Sequence, residues 1–342
     1  MTLAKPRALD PEQEEALDLF RSCSRFLLVG HVRPDGDCIG GEAALARGLT
    51  LAGKEAVILN PDPPEAIFDY LVEHVPFRAY SGGALPDHDV CVLLDFNELS
   101  RCGDMADPIA RAPSKKVVID HHPHQGKPWW DARFVDVSAS ATGLLVHRIL
   151  ELLGIEIDRV AATAIFTSLV TDTGWFRYSN TDAETLALAA RLVQRGVKPS
   201  ELFRALFQRR PPDEPLALAG VLSRLEYFAA GRLAVVDQPL SGVAHVLEDG
   251  DPLLDILRSV GPVEVVLYLR EVEPGKVKLS ARSKSAFDVN ALARRFGGGG
   301  HVKAAGATID GPLAEVKKRL VAAALEALDA SAARARGRSA SS

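Results

Sequence analysis

Three apolar runs in this chain, each short enough for a buried strand, stop at histidine or aspartate. Residues 26–29 lead into His31-Val-Arg-Pro-Asp35-Gly-Asp37, residues 90–94 into Asp95, and residues 117–119 into Asp120-His121-His122. Helical stretches lie between the runs, as a parallel sheet with crossover helices requires. In an open α/β sheet, ligands bind at the rim formed by the carboxyl ends of the strands. The pattern therefore predicts an α/β fold with a functional rim. A further acid, Asp172, follows the helical run 161–170 in Thr171-Asp172-Thr173-Gly174.

Taken singly, an aspartate after a strand is a turn or helix-capping residue. Five at one rim cannot all stay ionised without compensating positive charge. With His31, Asp35, Asp37, Asp95, His121 and Asp172 as the inner shell, the carboxylates carry about −4, which two divalent cations balance. Mixed imidazole and carboxylate without thiolate suits Mn²⁺ and tolerates Co²⁺, Fe²⁺ or Zn²⁺. Two such ions can clamp a phosphoryl group for in-line displacement. The predicted chemistry is phosphoester hydrolysis.

Hydrophobic residues make up 47% of the 342 and charged residues 25%, ordinary values for a globular protein large enough for two domains. A net charge of −5 disfavours broad coating of long nucleic acid. No run approaches a membrane span, and residues 1–7 lack the apolar core of a signal peptide. Cys23, Cys38, Cys91 and Cys102 form no CxxC pair and read as free thiols of a reducing cytoplasm. Cys38, beside Asp37, reads as a small buried residue at a helix start.

The first half predicts strands at 26–29, 56–59, 89–94, 116–119 and 133–135, with helices at 39–51, 141–153 and 158–170. A helical pattern over 183–208 breaks at Pro211-Pro212 and Pro215, where a domain boundary is expected. Beyond it a mixed α+β pattern follows, with strands at 233–236 and 263–269, a turn at Glu273-Pro-Gly275, and helices at 289–296 and 312–328. The tail 331–342 reads as disordered.

Four glycines precede His301 and Ala304-Ala-Gly306. Gly298, Gly299 and Gly300 allow backbone amides to cradle an anion, with a following helix N-terminus expected to add its dipole. Arg282, beside Ser283 at the end of a predicted strand, offers a guanidinium for bidentate phosphate contact.

These motifs together make the chain resemble a DHH-family phosphoesterase with a C-terminal DHHA1 domain. It most resembles the branch of small oligoribonucleases that also hydrolyse 3′-phosphoadenosine 5′-phosphate (pAp). The resemblance runs from Val29 to Gly306 in family order. Cys38 and Gly41 replace the commoner Ala and Ser, and Leu144 stands where relatives often carry Glu.

The resemblance implies a parallel-sheet DHH catalytic domain over 1–182 with helices on both faces. A helical linker would follow over 183–215, then a mixed-sheet DHHA1 substrate-binding domain over 216–330. It implies one metal on His31, Asp35 and Asp95, and a second on Asp37, Asp95, His121 and Asp172, with Asp95 bridging. Asp120 would orient the imidazoles, and His122 would contact the scissile phosphate or protonate the leaving oxygen. Arg282, Ser283 and His301, with the glycines, would hold the substrate's other phosphate or terminal nucleotide.

The expected activity is hydrolysis of short RNA oligomers to 5′-mononucleotides and of pAp to AMP, with Mn²⁺ as the expected ion. Hydrolysis of cyclic di-AMP or linear pApA is the alternative. Pyrophosphatase or polyphosphatase activity is disfavoured because such relatives carry a different second domain. A non-catalytic nucleic-acid-binding module is disfavoured because no inner-shell ligand is lost and no aromatic-basic platform is present. No membrane partner is expected, and a homodimer is left open.

Overall fold

A computed structural model of the chain describes residues 9–124, 126–240, 251–284 and 286–339. The chain divides into two compact units, Met1–Arg209 and Arg210–Ser342.

The first unit runs α1 (Pro11–Ser22), β1 (Arg25–Val29), α2 (Gly36–Leu51), β2 (Glu55–Asn60), α3 (Asp69–Val72), β3 (Phe77–Ala79), β4 (Val90–Leu94), α4 (Ala106–Arg111), β5 (Lys115–Asp120) and β6 (Ala132–Val135). Four helices close it: α5 (Thr142–Leu152), α6 (Arg159–Asp172), α7 (Ala183–Gln194) and α8 (Pro199–Phe207). The strands form one parallel sheet in the order β3-β2-β1-β4-β5-β6. Side chains alternate across it, so each buried strand feeds two cores. Phe26, Leu28, Val92 and Ile119 pack with α1, α2, α5 and α6. Leu27, Val29, Leu93 and Val118 pack on the other face with Cys102, Met105 and Ile109.

Strand order reverses between β1 and β4, each hydrogen-bonded to the other but connected outward in opposite directions. In open α/β sheets ligands bind outside the carboxyl ends of the strands at such a switch point. Helices α2 and α6 pack closely against each other because residue 40 has no side chain. A Cβ on Gly40 would lie 2.5 Å from the Ala164 carbonyl and 2.7 Å from the Ser168 nitrogen.

The second unit runs α9 (Glu214–Leu222), β7 (Glu226–Phe228), β8 (Leu233–Gln238), α10 (Asp251–Ser259), β9 (Val265–Glu273), β10 (Lys276–Ser283), α11 (Val289–Arg294), β11 (Gly299–His301), β12 (Ala304–Asp310) and α12 (Leu313–Ser339). Its mixed sheet is ordered β11-β12-β10-β9-β8-β7; among the described residues β8 and β9 pair in parallel and the other neighbours antiparallel. Helices α11 and α12 cover one face. On the other, Leu253, Leu254 and Leu257 of α10 cover β8 and β9.

The fold class is as expected: an α/β unit built on a parallel sheet, followed by an α+β unit built on a mixed sheet. The helical pattern over 183–208 resolves into two helices, because Gly196 turns at φ 94° and Pro199 starts α8. Two details differ. No helix follows the glycine run; β11 and β12 do, since alternation in Ala305, Ala307 and Ile309 buries every second residue. Helix α12 continues through Ser339, carrying its alanine-rich run into the segment expected to be disordered. Residues 1–8, which hold the segment lacking a signal-peptide core, and 340–342 lie outside the described residues. Among the described residues no helix is long and apolar enough to cross a membrane, and the four cysteines are free.

Candidate metal centre

The rim residues come together because neighbouring strands deliver them. His31 follows β1 and Asp95 follows β4, the two strands flanking the switch point, and Asp120-His121-His122 ends the adjacent β5. Asp35 and Asp37 open α2, and Asp172 closes α6.

Asp95 is buried and sits at φ 68°, a left-handed conformation that aspartate tolerates better than most residues. Its Oδ2 lies 3.6 Å from His31 Nε2 and its Oδ1 lies 3.5 Å from His121 Nε2. His31 Nε2 is also 4.0 Å from Asp35 Oδ2. His121 Nε2 is 3.4 Å from Asp37 Oδ2 and 3.9 Å from Asp172 Oδ2. Three candidate groups result among the described residues, His31–Asp35–Asp95, Asp37–His121–Asp172 and Asp95–His121–His122, each with ligand atoms within 4.8 Å of one another.

Surrounding groups hold these side chains in place. Asp37 accepts from Thr142 N at 2.8 Å and Gly143 N at 3.3 Å, the unpaired first-turn amides of α5, and from Ser168 Oγ at 2.5 Å. Thr142 Oγ1 donates to Asp95 Oδ1 at 3.0 Å. Asn180 Nδ2 donates to Asp172 Oδ2 at 3.1 Å and to the Ser140 carbonyl at 3.1 Å. Asp35 is both a cap and a candidate ligand: Oδ1 accepts from Asp37 N and Cys38 N, while Oδ2 is the oxygen nearest His31. Sequence reasoning missed Thr142, Ser168 and Asn180 as supports. Only Ser168 carried a signal, lying one helical turn before Asp172 on α6.

The electrostatics call for positive charge. Burial, then Asp95, pushes the Asp37 carboxyl well above its usual range. Burial raises Asp172 to about 6, with Asp95 and Asp35 adding to it against His121. Burial also opposes ionisation of Asp95, yet His121 and His31 hold it below the usual range. His121 is raised to about 10: burial works to lower it, but Asp95, Asp37 and Asp172 outweigh that. Its Nε2 nevertheless makes no hydrogen bond among the described residues, although it is buried. An imidazole nitrogen facing three carboxylates without a hydrogen bond to any of them is the donor set a divalent cation takes.

Asp120 is fully buried and accepts from His122 twice, from the backbone N–H at 3.1 Å and from Nδ1 at 2.8 Å. This hydrogen bond raises the His122 pKa. His121 is not oriented by Asp120; its Nδ1 faces the Ala139 carbonyl at 3.1 Å. The expected orienting role of Asp120 therefore extends to one imidazole, because the successive residues His121 and His122 point to different neighbours.

In the second unit, β10 and β12 leave an open trough of about 590 Å³. Lys278, Ser280 and Arg282 line it with Gly298, Gly299 and Gly300. The glycines let the backbone come close: a Cβ at Gly298 would meet the Gly306 carbonyl at 2.1 Å. Ser283 does not line it. One residue beyond Arg282 on a strand, it turns to the opposite, buried face. His301 ends β11, exposed and outside the trough lining. Lys278 and Ser280 were missed as lining residues, though their period-two alternation with Val277 and Leu279 was legible.

Comparison with known proteins places both units. The DHH family, N-terminal domain model matches residues 25–171 and the DHHA1 domain model residues 250–330. "Bifunctional oligoribonuclease and PAP phosphatase NrnA" of Thermus thermophilus is 36% identical over 87% of this chain and 88% of its own length. The Bacillus subtilis protein of the same name is 27% identical over 85% and 92%. A crystal structure of an exopolyphosphatase-related protein from Bacteroides fragilis shares the fold, with TM-score 0.83 and 24% identity over 95% of this chain and 97% of that one.

Proposed function

The chain belongs to the DHH family and carries a DHHA1 domain, which makes it a metal-dependent phosphoesterase, and on that premise we propose that it hydrolyses short oligoribonucleotides to 5′-mononucleotides and pAp to AMP. The observation that carries the two-cation reading is the split of Asp95, one carboxylate oxygen facing His31 and the other His121. His31, Asp35 and Asp95 would hold one divalent cation; Asp37, Asp95, His121 and Asp172 the other. Manganese suits this thiolate-free set. Bound there, the ions would supply Lewis acidity and neutralise charge at the phosphoryl group.

The two substrates share a reaction. In each, water adds to phosphorus and the bond from phosphorus to a ribose 3′-oxygen breaks. That oxygen keeps the bonding pair and needs a proton. His122 supplies it from Nε2 while Asp120 holds Nδ1–H, so the imidazolium ends as a neutral imidazole. The attacking water's surplus proton passes to solvent. In the second unit, the trough lined by Arg282 and the glycine backbone offers a phosphate-binding surface. The names of the two NrnA relatives support this pair of substrates.

The test is product analysis with Mn²⁺ on pAp, RNA oligomers, linear pApA and cyclic di-AMP. AMP from pAp and mononucleotides from oligomers of about two to five nucleotides are expected. Opening of cyclic di-AMP with pAp left intact would overturn the proposal in favour of a dinucleotide phosphodiesterase.

A further inference from the structure

Behind the Asp120–His122 pair runs a line of hydrogen bonds that neither ligand binding nor phosphate contact accounts for. Its centre is Asn97, buried two residues beyond Asp95. Asn97 Nδ2 donates to Asp120 Oδ2 at 2.6 Å and to the His122 carbonyl at 3.1 Å. Its Oδ1 lies 3.1 Å from His124 Nδ1, and its carbonyl accepts from Trp129 Nε1 at 2.9 Å.

The amide can face only one way. Turned over, its oxygen would point at a carboxylate. Oδ1 is therefore the acceptor, and His124 carries a proton on Nδ1. His124 packs edge-on against Trp130, ring centres 4.7 Å apart, and Trp130 against Trp129 at 5.9 Å. One indole thus walls the histidine that steadies the amide, and the second backs the first while holding the Asn97 carbonyl.

This arrangement has a consequence for His122. Asp120 is fully buried, and its two oxygens divide their work: Oδ1 takes both His122 contacts, and Oδ2 takes Asn97. With Oδ2 pinned, the carboxylate cannot turn, and Oδ1 stays on His122 Nδ1. The other ring nitrogen, Nε2, is left to face away from Asp120 on a side chain that is 53% exposed. We infer that Asn97 and His124 are positioning residues for the leaving-group proton: His124 fixes the Asn97 amide, Asn97 fixes Asp120, and Asp120 keeps the proton-donating nitrogen of His122 as Nε2. The inference rests on His122 being the donor to the leaving oxygen.

The test compares leaving groups on the full chain loaded with Mn²⁺. Linear pApA releases a ribose oxygen that needs a proton; bis-p-nitrophenyl phosphate releases an aryl oxide that leaves without one. Asn97→Leu is expected to lower kcat on pApA about tenfold to a hundredfold, part of what general acid catalysis is worth. KM on pApA and turnover of the aryl ester should stay within about threefold. His124→Phe keeps the ring against Trp130 and removes the donor, so it should show the same selectivity at smaller size. It also decides the question if Asn97→Leu does not fold. In metal-free protein labelled with ¹⁵N-histidine, at a pH where His122 is neutral, its Nδ1–H tautomer should dominate in the wild type and become a mixture in the variants.

His122→Ala separates the two readings. If it damages both substrates equally, His122 is not the proton donor. If it is selective for pApA while the Asn97 and His124 variants spare both substrates or damage both equally, the positioning inference is overturned.

Discussion

Ser168, on α6, donates its hydroxyl to Oδ1 of Asp37, at the start of α2, at 2.5 Å. The bond spans the helix pair brought together at Gly40, so the packing of the first unit and the charge state of a candidate ligand are the same piece of structure. Without the hydroxyl, Asp37 keeps only the amides of Thr142 and Gly143. Ser168→Ala should weaken Mn²⁺ binding about tenfold to a hundredfold, the usual cost of losing a group that orients a ligand. Isothermal titration with Mn²⁺ checks this; unchanged affinity would remove Ser168 from the centre.

Gly40 gives a second test of that helix pair. Gly40→Ala would press a methyl group against backbone, which cannot swing aside. The helices must part, at a cost of about 1–3 kcal/mol for overpacking. A fall in denaturant midpoint with weaker Mn²⁺ binding is expected, while Gly53→Ala, at a solvent-open turn, should not touch the metal centre.

Substrate holding should separate from chemistry. If Arg282 binds phosphate as proposed, Arg282→Ala should remove a charge-assisted contact of about 1.5–3 kcal/mol. If the contact is equal in ground and transition states, KM on pAp rises about tenfold to a hundredfold with kcat little changed. On bis-p-nitrophenyl phosphate, which has no second phosphate, the variant should be nearly silent. Equal damage there would place Arg282 in the reaction centre or in the fold.

Away from the site, His147 on α5 gives a pH test of the fold. Burial, then Arg191, lowers its pKa to about 4, while the unfolded chain titrates near 6.5. Above pH 6.5 both states are neutral and the residue is silent. As pH falls from 6.5 to 4, only the unfolded state gains a proton, so stability is lost, by at most about 3 kcal/mol. His147→Leu should therefore gain on the wild type as pH falls through this window. Urea unfolding at pH 7.5 and pH 4.5 measures it, and a pH-independent difference would contradict it.

The rim was legible because its ligands sit where apolar runs stop, and a strand's end fixes where the next residue goes. Lys278 and Ser280 alternate with Val277 and Leu279 in the sequence, but the adjacency of Arg282 and Ser283 on paper hid that Ser283 faces the other way. Asn97, Thr142 and Asn180 left no signal: their partners are 23, 47 and 8 residues away, and only the folded sheet selects which amide or hydroxyl meets which carboxylate. The short strands β3 and β7 were invisible because three residues carry no period. The glycine run misled about the next element, since the same residues that admit a helix start also admit two backbones packed at close range.

Asp95 carries the central claim, one carboxylate shared between two cations. The direct measurement is Mn²⁺ content and pAp hydrolysis of the wild type and Asp95→Asn after dialysis, with and without excess chelator. Two ions per wild-type chain are expected, with activity abolished by chelation and restored by Mn²⁺, and with both ions and turnover lost in Asp95→Asn. Full activity in chelator, or an Asp95→Asn chain that keeps two ions and near-normal turnover, would contradict the account.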